Sequence, residues 1–144
     1  MELNTASSVI SFARELEETS ASFYEGLAGQ YPVSEEMFTG YAKENRKFIK
    51  QFETAYYGVI TDAIEGCYAF NINPDKYQLN TELAVGAAVA EAADKALEIE
   101  DSLVRFYTDA AEQSKSLMAD VPRTFTLIAR KRSGRKQTLE SIHQ

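Results

Sequence analysis

Two carboxylates in this chain are each followed, seven residues on, by a tyrosine: Glu17 by Tyr24 and Glu100 by Tyr107. The flanks repeat as well. Leu16-Glu17-Glu18-Thr19 and Phe23-Tyr24 in the first copy match Ile99-Glu100-Asp101-Ser102 and Phe106-Tyr107 in the second. Seven residues is about two helical turns, so each Glu shares one helix face with its Tyr. Both faces are otherwise apolar. A carboxylate there is costly unless something meets it, and the chemistry depends on whether that partner is a metal ion or a cationic side chain.

The elements that carry these residues read as helices. Thr5 is placed to cap a first helix reaching about Ala28, with Ile10, Ala13, Glu17, Ser20, Tyr24 and Leu27 on its inner stripe. After Pro32, Ser34 caps a second, with Phe38, Tyr41, Asn45, Phe48, Phe52, Ala55 and Val59 inward. It fades over residues 58–66, and residues 66–80 form a long connection. Thr81 opens a third helix to about Ser114, with Ala93, Ala96, Glu100, Leu103, Tyr107 and Ala110 facing in. Asp120 and Pro122 open a fourth, whose stripe is Phe125, Ile128, Arg132, Arg135, Leu139 and Ile142. Strand signals are weak, with no sustained period-two run and no Asn-Gly or Asp-Gly hairpin. The pattern predicts an all-α, single-domain four-helix bundle over residues 1–144, two helical hairpins joined by one long crossover.

The hairpins are duplicates. Phe38-Thr39-x-x-Ala42 in the second helix recurs as Phe125-Thr126-x-x-Ala129 in the fourth, and the register carries on to Phe52-Glu53 and Leu139-Glu140. A duplicated hairpin with Glu-x6-Tyr on helices 1 and 3 resembles the ferritin-like superfamily, in particular its rubrerythrin branch, over nearly the whole chain but without a rubredoxin-type cysteine module. The resemblance implies a di-iron site at the bundle centre, one Glu from each of two helices and a Glu-x-x-His pair from each of the others. Glu17 and Glu100 match the single-Glu positions.

The Glu-x-x-His positions do not match. Counting from Ala42 gives Asn45 and Phe48, and counting from Ala129 gives Arg132 and Arg135. A slip of one residue in the second helix gives Glu44-x-x-Lys47, and lysine is no substitute for the imidazole. Guanidinium groups repel a divalent metal and do not deprotonate at working pH, but they match carboxylates in bidentate geometry. The expectation is therefore that Glu17 and Glu100 pair with Arg132 and Arg135 in a buried, charge-neutral network, with Tyr24 and Tyr107 bonded to the carboxylates and no metal or other cofactor. In function this is a non-catalytic ferritin-like protein acting through binding or assembly. The alternative is a di-iron or di-manganese oxidoreductase or peroxidase of the rubrerythrin type, drawing Glu18, Glu44 and Asp101 into an all-oxygen site with Glu17 and Glu100. A third is a small-molecule binder using the bundle interior.

Bulk composition bounds the rest. The formal net charge is −7, hydrophobic content 44% and charged content 26%, an ordinary globular balance without the basic footprint of a nucleic-acid binder. The basic residues Arg130, Lys131, Arg132, Arg135 and Lys136 spread around one helix. One cysteine, Cys67, excludes an intrachain disulfide, and the one histidine, His143, is the penultimate residue. The most apolar run, residues 83–90, is too short to span a bilayer, and the first ten residues lack a secretory signal. A cytoplasmic protein is expected, and the family habit implies a homodimer. Tyr56, Tyr57, Tyr68, Phe70 and Tyr77 form an aromatic zone by the crossover, suited to satellite core or a dimer surface.

Overall fold

The computed structural model of the chain describes residues 2–59, 68–115 and 120–142. Within them lie strand β1 (Leu3–Thr5), helix α1 (Ala6–Gln30), helix α2 (Glu35–Val59), strand β2 (Tyr68–Ile72), helix α3 (Val89–Ser114) and helix α4 (Asp120–Ser141). Two 3-10 turns, Pro32–Ser34 and Pro74–Tyr77, punctuate the connections. The architecture is an all-helical bundle with a minor two-stranded sheet. Cys67 and His143 lie outside the described residues, as do residues 60–66 of the stretch where the second helix was expected to fade; residues 58 and 59 still belong to α2.

α1 starts where a cap exists for it: the Thr5 hydroxyl accepts from the Ser8 backbone N–H at 3.2 Å. The turn at 31–34 folds α2 back along α1. Arg14 meets Glu53, Ser20 meets Asn45 and Glu25 meets Arg46, so the two helices run antiparallel. α3 and α4 pack in the same way, with Phe106 against Phe125 near one end and Asp101 against Lys136 near the other. α2 and α4 pack across the two hairpins, as do α1 and α3. Alanines 92, 93, 96 and 110 are fully buried on α3, which leaves room for the larger aromatics facing them.

Two features differ from the sequence expectation. The third helix begins at Val89, eight residues after Thr81, with Ala88 at its cap position. Asn80 turns the chain by accepting from the Glu82 N–H at 3.0 Å, and Gly86 holds φ +76°, outside any helix. The Tyr31 hydroxyl then donates to the Ala87 carbonyl at 2.6 Å, pinning this loop to the end of α1. The expected plain connection also contains a strand. β2 pairs antiparallel with β1, Leu3 opposite Ile72 and Thr5 opposite Tyr68, and Phe70 and Ile72 are buried while Asn71 is exposed. Gln113 of α3 braces that strand, accepting from the Asn71 N–H at 2.7 Å and donating to its carbonyl at 3.3 Å. Among the described residues no helix is long and apolar enough to cross a membrane.

Candidate functional site

Inner-stripe spacing on each helix brings its polar residues to one level of the bundle. Glu17, Ser20 and Tyr24 lie at i, i+3 and i+7 of α1; Glu100 and Tyr107 lie at i and i+7 of α3; Asn45 comes from α2, and Arg132 and Arg135 from α4. Glu17, Ser20, Asn45, Glu100 and Arg132 are fully buried, and Arg135 is 4% exposed.

Arg132 is at the centre. Its Nη1 donates to Glu100 Oε1 at 2.7 Å, its Nη2 to Glu17 Oε1 and to Asn45 Oδ1 (3.0 Å), and its Nε to Glu17 Oε2 at 3.3 Å. Arg135 donates through Nη1 to Asn45 Oδ1 at 2.8 Å and to Glu100 Oε2 at 3.4 Å. Its Nη2 and Nε reach Glu44 Oε1 at 2.7 and 3.2 Å, and Nη2 also reaches the Tyr41 carbonyl at 3.2 Å. Asn45 thus accepts from both arginines and passes its own N–H on to the Ser20 hydroxyl at 2.9 Å. The tyrosines bond crosswise: Tyr24 of α1 donates to Glu100 of α3 at 2.5 Å, and Tyr107 of α3 donates to Glu17 of α1. Each Tyr shares a face with one Glu and serves the other.

Aromatic rings close the site. Phe48 lies 5.4 Å from both guanidinium carbons, and the Tyr41 ring lies 4.5 Å from that of Arg135. Tyr24 stacks on Phe38, and Tyr107 packs against Phe106 and Phe125.

Burial shapes the titration of these groups. It pushes the Glu17 carboxyl above the usual carboxylate range, against the opposing pull of Arg132 and the Tyr107 hydroxyl. Burial also works against the charge on Arg132, but Glu100 and Glu17 outweigh it and hold the guanidinium above its ordinary range. Both phenols are held well above 10.0, first by burial and then by the neighbouring carboxylate.

The donor set does not fit a pair of divalent metals. All four oxygens of Glu17 and Glu100 are engaged by N–H or O–H donors of the chain, and two permanent cations stand among them. The two buried carboxylates are matched in charge by two guanidiniums, and the one further carboxylate of the network, the partly exposed Glu44, is engaged by Arg135, so a cation pair there meets repulsion with little left to offset it. Asn45 serves as a hydrogen-bond bridge and Phe48 as an aromatic wall. The alternative ligands do not converge on the centre: Glu18 is exposed and pairs with Arg14 at 3.2 Å, Asp101 is exposed and pairs with Lys136 at 2.5 Å, and Glu44 leads Arg135 out to solvent. Among the described residues no three His, Cys, Asp or Glu side chains gather in a metal-holding group.

Three residues take part in the network that sequence reasoning had not assigned to it, Glu44 having been weighed only as an alternative metal ligand and Ser20 and Tyr41 only as inner-stripe positions. Glu44 closes the outer end of the network, Ser20 takes the last Asn45 proton, and Tyr41 supplies both a carbonyl and a ring. Ser20, Tyr41 and Asn45 were legible as inner-stripe positions; their polar groups on an apolar stripe were the signal. Comparison with protein-family models, curated proteins and solved structures returned no match.

Proposed function

We propose that this chain is a ferritin-like bundle of the rubrerythrin type in which a Glu/Arg network has taken the place of a di-iron site, and that it acts as a non-catalytic binding or assembly protein. One observation carries the reading: Arg132, without solvent exposure, donates to both Glu17 and Glu100, the two positions at which the resemblance requires metal ligands. A guanidinium is fixed in charge and offers no vacant coordination site, so the centre can hold the helices in register but gives no route to oxygen or peroxide chemistry. The duplicated Phe-Thr-x-x-Ala register, which puts arginines where Glu and His belong, supports the same reading.

The test restores the missing ligands. Arg132→Glu with Arg135→His adds two metal-ligating groups and removes two cations. Equilibrium dialysis against Mn(II) is expected to show uptake by this variant and none at the core of the parent protein. Tight Mn(II) binding by the parent, lost on Glu100→Gln, contradicts the proposal.

A further inference from the structure

We infer that the seam between α2 and α4 is a docking trough for an acidic amphipathic helix of a partner protein. This rests on the binding half of the function proposed above and not on whether the core excludes metals. Lys43, Lys47 and Lys50 fall at i, i+4 and i+7 on α2, and all three are exposed. On α4, Arg123 and Lys131 lie four residues either side of Leu127, a large aliphatic residue left 49% exposed. Two surface clefts of about 610 and 650 Å³ run along the seam and share Gln51 and Lys131. Ala55 and Met37, both partly buried, contribute apolar lining beside them.

Charge identifies the occupant. Outside the trough most exposed or half-exposed cations are paired at home: Arg14 with Glu18 and Glu53, Arg46 with Glu25, Lys95 with Glu98, Lys115 with Glu112, Lys136 with Asp101. Lys76, Arg105 and Arg130 are exposed without an ion pair among the described residues, but they sit on three different elements and form no row. Along the trough, among the described residues, no carboxylate comes within 4.0 Å of Lys43, Lys47, Lys50 or Lys131, and Arg123 has only Asp120 at 3.9 Å. Of the other carboxylates bordering the clefts, Glu36 stands at one end and Glu44 is held by Arg135. A chain of net charge −7 thus keeps a row of uncompensated cations beside an apolar strip. That is the complement of a helix with an apolar stripe flanked by Asp and Glu. The lining reaches from Met37 to Gly58 of α2, about 30 Å of helix, the span of a partner segment of about 20 residues. A nucleic acid fits less well, since the cations form single rows around apolar side chains and the rest of the surface repels a polyanion.

The test uses the full chain and a fluorescein-labelled designed helix of about 20 residues, with a Leu stripe between rows of Glu. Its competitors are a permuted peptide of the same composition, a duplex DNA oligonucleotide and phosphatidylserine vesicles. Anisotropy is expected to show saturable binding in the micromolar range, weakening as salt rises. Lys47→Glu with Lys131→Glu should weaken it at least about tenfold, and Lys76→Glu, an exposed cation elsewhere, should leave it unchanged. Circular dichroism checks that each variant folds; should the first pair misfold, Lys43→Glu with Lys50→Glu takes its place. Absence of binding, equal binding of the permuted peptide, or preferential binding of DNA or vesicles overturns the inference. Metal uptake does not enter this readout, so the two proposals fail separately.

Discussion

A guanidinium taken wholly out of water must recover its hydration from the protein. Arg132 does so with four hydrogen bonds to Glu17, Glu100 and Asn45. Such a network need not exceed an apolar core in stability, but deleting one member leaves buried charges unmatched, at about 3–5 kcal/mol. Arg132→Leu is therefore expected to lower the urea-derived unfolding free energy by that amount, whereas Arg130→Leu, on the exposed face, changes it by less than about 0.5 kcal/mol. Equal effects would show that Arg132 does not carry the interior. The tyrosines make a second prediction. Tyr24 and Tyr107 have folded-state pKa values well above 10.0, and burial with a bond to Asp109 pushes Tyr77 up to about 12. Groups raised on folding contribute stability that is fully present below the unfolded value and lost as pH climbs through the folded one. Alkaline titration at 295 nm should therefore show Tyr24 and Tyr107 ionising only together with loss of helical circular dichroism. Smooth ionisation of all eight tyrosines with helicity intact contradicts the buried pairing. Much of this was legible at the residue scale, because the repeat fixed which side chains share a level. The crosswise choice of carboxylate was not: Tyr24 and Glu17 share a face, yet the Tyr24 hydroxyl reaches across to Glu100 on α3.

That crossing ties α1 to α3, which also meet through the edge-to-face rings of Phe12 and Phe106 at 5.5 Å. Double-mutant cycles distinguish the two geometries. Tyr24→Phe combined with Glu100→Gln is expected to show a coupling of about 0.5–3 kcal/mol, and Tyr24→Phe with Glu17→Gln much less. The reverse order would mean that each tyrosine serves its own helix. Helix positions followed from apolar spacing because each inner stripe is long. The start of α3 did not, since residues 83–90 continue an apolar pattern whose backbone is turned by Asn80 and Gly86 and fastened by the Tyr31 hydroxyl. Gly86 was a visible breaker within that pattern. β2 escaped notice for a different reason. Its alternation of Phe70, Asn71 and Ile72 is real but very short, and its partner β1 lies 63 or more residues away in sequence, a pairing that local patterns do not carry.

At the scale of the whole molecule, two duplicated hairpins enclose a centre whose charge balances without a metal. The same molecule leaves a row of cations unbalanced on the outside of α2 and α4. Inside, every carboxylate oxygen at the centre is answered by a donor of the chain; outside, the seam has cations awaiting carboxylates. On the function proposed above, the first arrangement ties the helices together without a metal and the second offers a surface for a partner, and the two together support a binding role. The central claim concerns the core, and metal content tests it most directly. The parent protein is to be loaded anaerobically with excess Fe(II), desalted and subjected to elemental analysis. The account predicts iron at trace level, far below one ion per chain, and no absorbance change on adding peroxide. Two tightly retained iron ions per chain, with a peroxide-dependent change, would contradict it.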